Sequence, residues 1–173
     1  MCFYNQTMTI NEIGTLIKKY RTASGLSQSE LASLGCISRA TLIALEKGQI
    51  KELGASKLFA LTNLLGIHFN SPQFDSTPDD VQNLQKALAS ANVSYKKMMT
   101  AEMLEQILLK GKISKGLEGN MLYVIDELPP AIMLGVIRSV ASKAHKKPRE
   151  VWLQTAALAK QIQSPASLWQ AVK

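Results

Sequence analysis

From Thr9 to the end of the chain the apolar residues recur at steps of three and four, and nowhere do they alternate at period two for long. That spacing commits the chain to helices and excludes a sheet as its organising element. Local signals divide the helices. Thr9 with Glu12, and Ser27 with Glu30, are capping boxes, in which side-chain oxygens satisfy backbone donors that a first helical turn leaves unpaired. Ile10, Ile13, Leu16, Ile17 and Tyr20 make one buried stripe that stops at Ser24-Gly25. A short helix carries Leu31 and Leu34. Ser38 caps a third helix, through Leu42 and Leu45 to Gly48, and a fourth follows Gly54 with Leu58, Leu61, Leu64 and Leu65, ending at Gly66.

The stretch from Asn70 to Pro78 holds two prolines among small polar residues and cannot continue a helix. It is expected to be a linker, residues 70–78, between a first unit at 9–69 and a second at 79–173. The second unit is also helical by pattern. Thr77, Pro78 and Asp80 signal a start ahead of Val81, Leu84 and Leu88, and Thr100 caps a helix with Met103, Leu104, Ile107 and Leu108 that Gly111 stops. Residues 117–126 form another helix. Pro129-Pro130 opens one through Ile132, Met133, Ile137 and Val140, Pro148 opens one through Val151 and Trp152, and Ser164-Pro165 starts a short segment with Leu168 and Trp169. The fold class is therefore all-α.

Charge narrows the partners. The chain of 173 residues carries 20 Lys+Arg against 13 Asp+Glu, a net +7. Residues 9–70 hold seven basic and four acidic groups, and 71–173 hold thirteen and nine, so the excess is shared as +3 and +4. Such a balance suits a polyanionic partner, although it speaks first to solubility and association. The longest apolar run, Ala131 to Ile137, is far below the ~20 residues of a spanning helix, and no membrane partner is expected. Met1 to Met8 lacks a basic segment followed by an apolar one, and Cys2 and Cys36 cannot make a disulfide framework. A cytoplasmic setting is the expectation.

The segment Gly25-Leu26-Ser27-Gln28-Ser29-Glu30-Leu31-Ala32, then Ser38-Arg39-Ala40-Thr41-Leu42, then Leu45-Glu46-Lys47-Gly48, with Leu64-Leu65-Gly66-Ile67 closing, resembles the helix-turn-helix of the Cro/CI family, also called the Xre family. Ile50 to Gly54 with Lys57-Leu58 is similar to one sub-branch. The resemblance covers roughly residues 9–67 and implies a lambda-repressor-like domain of four or five short helices, followed here by a C-terminal helical bundle.

A helix entering the major groove must bury one face on its own domain and present the other to base edges. At ~100° per residue, Leu42 and Leu45 share one side, while Ala40, Ile43, Ala44 and Lys47 lie opposite with Arg39 at the N-terminal end. Arg39 suits a bidentate contact to guanine. Ala40 and Ala44 suit thymine methyls or close approach, and Thr41 completes the base-facing set. Ile43 either meets a methyl or sugar or is a single exposed apolar residue of the ordinary kind. Phosphates are expected at Ser27 and Gln28, a role the resemblance also implies for Gln28, at Ser38, at Lys47, which the resemblance places near the backbone, and at Lys51, which like Lys57 is as readily a solvated lysine. Arg21 and Glu46 occupy positions that the resemblance associates with an internal ion pair.

One departure stands out: the family usually has glycine where this sequence has Cys36, and glycine sits one position earlier, at Gly35. A left-handed conformation at 36 would cost about 1 kcal/mol. The thiol is expected to be buried in the turn and not to act as a redox switch, since no Lys, Arg or His flanks it.

Little else carries chemistry. His68 and His145 lack a second ligand at metal spacing, no glycine loop follows a strand, and Asp126-Glu127 reads as a polar helix end. No enzyme activity, metal or cofactor is expected. The run Lys143-Ala144-His145-Lys146-Lys147-Pro148-Arg149 reads as a solvated inter-helix loop, with contact to flanking phosphates as the other reading. Residues 79–173 carry an apolar excess, at Ile132, Met133, Ile137 and Val140, that is expected to serve dimerisation or a protein partner. The expected protein is thus a bacterial or phage-type regulator that binds double-stranded DNA in a sequence-specific way. In the leading reading it is a repressor acting as a homodimer on a palindromic operator. The alternatives are an antitoxin that also holds a cognate toxin on its C-terminal helices, and an interaction protein that has lost DNA binding.

Overall fold

The computed structural model of the chain describes residues 8–67, 80–93, 95, 97–170 and 172. The helices are α1 (Ile10–Ala23), α2 (Gln28–Leu34), α3 (Arg39–Glu46), α4 (Ala55–Leu65), α5 (Asp80–Ala91), α6 (Ala101–Lys110), α7 (Glu118–Asp126), α8 (Pro130–Lys143), α9 (Pro148–Gln161) and the single turn α10 (Ser167–Gln170), with no strand among the described residues. Residues 70–78, together with Cys2 and His68, lie outside the described residues.

The caps are where their three-residue spacing puts them. Thr9 Oγ1 accepts from Glu12 N at 3.3 Å while Thr9 N donates to Glu12 Oε2 at 2.7 Å. Ser27 and Glu30 repeat the box at 3.2 and 2.7 Å, and Ser38 Oγ accepts from Thr41 N at 3.0 Å. Thr100 caps α6, and Pro130 and Pro148 start α8 and α9, where the missing N–H costs nothing.

In the N-terminal part α1 and α2 pack on α3, and α1 also packs on α4, around Ile17, Leu31, Leu42, Leu45, Leu61 and Leu65, each fully buried. The C-terminal part is built round α8, which touches α5, α6 and α9 and also α4. Met133 through Ala141 are buried without a break. This corrects the expectation of an apolar surplus on α8: the chain's own helices bury Met133, Ile137 and Val140 and half-bury Ile132. A helix encircled by other helices carries apolar residues on every side. No single helix among the described residues is long and apolar enough to cross a membrane.

Contacts across the boundary extend well beyond α4 and α8. Arg138 on α8 donates to Ser24 Oγ at 2.6 Å, and Arg149 on α9 donates to the Gly25 carbonyl at 3.2 Å and to Glu30 Oε2 at 2.5 Å. Trp152 Nε1 lies 3.4 Å from Glu30 Oε1, and its ring stacks at a tilt on Trp169, centroids 4.9 Å apart. Gly25, at φ +74°, has no room for a side chain, because a Cβ there would fall 2.6 Å from Arg149 N and 2.7 Å from the Pro148 carbonyl carbon.

Candidate nucleic-acid interface

Helix α3 is defined by what it buries. Leu42 and Leu45 of α3 are completely inaccessible, and the Ser38 cap fixes the first turn. Opposite that anchor Arg39 and Ala40 are exposed, with Lys47 exposed just past the helix end. Thr41, Ile43 and Ala44 are half-buried, and Thr41 Oγ1 lies 2.8 Å from Ser38 Oγ. The five residues proposed to meet bases thus fall into two groups, Arg39 and Ala40 exposed and Thr41, Ile43 and Ala44 half-buried.

The residues proposed for phosphates differ in exposure. Ser38, Lys47 and Lys51 are exposed, while Ser27 and Gln28 are half-buried. Ser27 and Gln28 also make bonds within the domain. Gln28 Nε2 donates to Glu46 Oε2 at 2.9 Å, and the Ser27 hydroxyl caps α2. Arg21 reaches Glu46 through Nε at 2.6 Å and Nη2 at 3.1 Å, and its Nη1 donates to the Leu26 carbonyl at 2.7 Å. The Glu46 carboxylate is almost wholly buried, its side chain 2% exposed. One ion pair therefore binds the ends of α1 and α3 to the turn before α2, and its bidentate geometry is the strong form of the contact.

The α2–α3 turn shows how Cys36 is accommodated. Cys36 takes φ +51°, the left-handed conformation, which the usual glycine at this place would adopt freely. The expectation of a buried thiol is corrected: Cys36 is exposed. At Gly35 the need is space and not conformation, since a Cβ there would stand 2.5 Å from Leu61 Cδ2 on α4. The two requirements sit on neighbouring residues, and a single glycine meets only one of them.

Glu30 was missed as more than a cap. It is 2% exposed and joins the N-terminus of α2 to α9. Burial pushes its carboxyl pKa up, but the Ser27 hydroxyl, Arg149 and the Ser27 amide outweigh that and hold it below the ordinary 4.5. No local signal announces Arg149, 119 residues away in sequence. It lies in the basic run read as a solvated loop. Within that run Lys146 and Lys147 are exposed, while Arg149 is bonded to Glu30 and Lys143 to Glu105, the latter at 2.5 Å.

Comparison with family models matches residues 17–70 to a helix-turn-helix family. Comparison with curated proteins and with solved structures finds no match to the chain.

Proposed function

We propose that the chain, whose residues 17–70 match a helix-turn-helix family, is a DNA-binding transcriptional regulator of the Cro/CI type, a repressor acting as a homodimer on a palindromic operator. The observation that carries the reading is the division of α3, with Leu42 and Leu45 sealed in the domain and Arg39 and Ala40 exposed at a capped N-terminal end. In this reading Arg39 takes a guanine edge. Ala40, Thr41, Ile43 and Ala44 follow the groove, and Ser27, Gln28, Ser38, Lys47 and Lys51 hold phosphates on either side. A two-fold dimer would set two such helices about 34 Å apart, one turn of the duplex.

The test is selection of bound duplexes from a random pool, followed by titration of the selected sequence with the wild type and Arg39→Ala. A palindromic site, bound by two chains per duplex, is the expected result. One chain per duplex in sedimentation would overturn the dimer, and failure to enrich any sequence would overturn specific recognition. The antitoxin version of the reading adds a toxin on the C-terminal helices and leaves the DNA contacts as they are.

A further inference from the structure

We propose that Lys146 and Lys147, in the turn between α8 and α9, form a second phosphate-binding element that extends the DNA footprint beyond the helix-turn-helix; the inference rests on the DNA-binding reading above.

In the run from Lys143 to Arg149, Lys143 pairs with Glu105 and Arg149 with Glu30. Lys146 and Lys147 are exposed and make no ion pair among the described residues, although Glu150 follows closely in the first turn of α9. Exposed lysines alone are ordinary; their placement is not. The backbone at Pro148 and Arg149 lies against Gly25, so closely that a methyl group could not be inserted, and Arg149 bonds the Gly25 carbonyl. Lys147 is thus one residue from a backbone-to-backbone contact with the turn that leads into Ser27 and Gln28.

That turn is fixed in its own right to the end of α3. Arg21 holds the Leu26 carbonyl with one nitrogen and Glu46 with two others, and Gln28 also holds Glu46. A short series of bonds runs from exposed Lys47 and neighbouring Glu46 through Arg21 and Gln28 to Gly25, Arg149 and Lys147. Every link is a hydrogen bond, an ion pair or a chain neighbour. The basic turn is therefore carried at a fixed offset from α3, and with α3 in the groove the exposed Lys146 and Lys147 are proposed to reach the strand that passes Ser27 and Gln28. Two further positive charges there add to the sequence-independent part of affinity.

Phosphate contacts do not require a known operator. The experiment measures binding of the full chain and of Lys146→Gln/Lys147→Gln to a labelled mixed-sequence duplex of about 30 base pairs across a salt series, with thermal unfolding showing that the variant is folded. Each lost phosphate contact removes about 0.9 from the slope of log affinity against log salt. For two contacts, the affinity lost between 50 and 200 mM salt is expected to shrink by about tenfold. On a selected operator the variant should weaken specific and mixed-sequence binding by the same factor. An unchanged slope with normal wild-type binding overturns this inference and leaves the DNA-binding reading intact. Absence of wild-type binding to either duplex overturns that reading itself. A loss confined to the operator also overturns the inference, since it would mark a base contact.

Discussion

Cys36 holds a left-handed backbone that an L-residue adopts at a cost of about 1 kcal/mol, and it is exposed, so burial does little to offset that cost. Cys36→Gly is expected to stabilise the protein by up to about 1 kcal/mol, less a few tenths for the freer unfolded chain. Thermal unfolding should show a rise of about 2–4 °C. Gly35→Ala should do the reverse, because its methyl group would displace Leu61. Arg39→Ala should leave stability unchanged and reduce discrimination at one base pair by about 1–3 kcal/mol, measured by titrating the operator and its single-pair variants. Arg21→Ala belongs to another class. It leaves the buried Glu46 carboxylate with Gln28 alone, at an expected cost of about 3–5 kcal/mol. Replacing both Arg21 and Glu46 with apolar residues should cost less than that single change, and denaturant unfolding of the three variants would decide it.

Among the helices, α2 depends most on a distant element. Glu30 closes its capping box and accepts from Arg149 in the same carboxylate. The pKa of Glu30 is lowered in the folded protein, so this contribution is complete above the unfolded value of 4.5 and is lost as pH falls through the still lower folded value. The stability difference between wild type and Glu30→Gln should therefore be constant above about pH 5 and narrow below it, as read by thermal melts at a series of pH values. Gly25→Ala should loosen α2 from α9 and speed amide exchange in the first turn of α2. Much at this scale was legible in advance. The Thr9, Ser27, Ser38 and Thr100 caps and the proline starts of α8 and α9 are local, so a few neighbouring residues are enough to announce them. The glycine stops at 66 and 111 are equally local. Arg138 with Ser24 and Arg149 with Glu30 join residues over a hundred positions apart, and neither pattern nor propensity encodes which arginine meets which partner.

For the whole molecule, the apolar pattern of α8 was legible but its meaning was not. A seven-residue apolar run can face a second copy or lie at the centre of a bundle, and only the placement of α4, α5, α6 and α9 round it selects the second. A consequence is that core changes in the C-terminal part should be felt by α3. Trp152→Ala removes a fully buried ring that lies against both Trp169 and Glu30, and an unfolding cost of about 3–5 kcal/mol is expected. If residues 8–67 unfolded independently of α8 and α9, this variant would show a second, unshifted transition reporting on α1 to α4, and a single shifted transition is expected instead.

The Gly25–Arg149 contact also bears on how such a helix-turn-helix domain can be reused. A chimera that grafts residues 8–67 onto a foreign oligomerisation module would bring with it a carboxylate at Glu30 and a side-chain-free notch at Gly25, both shaped for a turn left behind. Portability then has to be designed in: Glu30→Gln keeps an acceptor for the Ser27 amide without an unpaired charge, and a small residue tolerant of positive φ must stay at position 25. Transplants made without the first change should express as less stable proteins than those made with it, and the deficit measures how far this domain has been fitted to its own body.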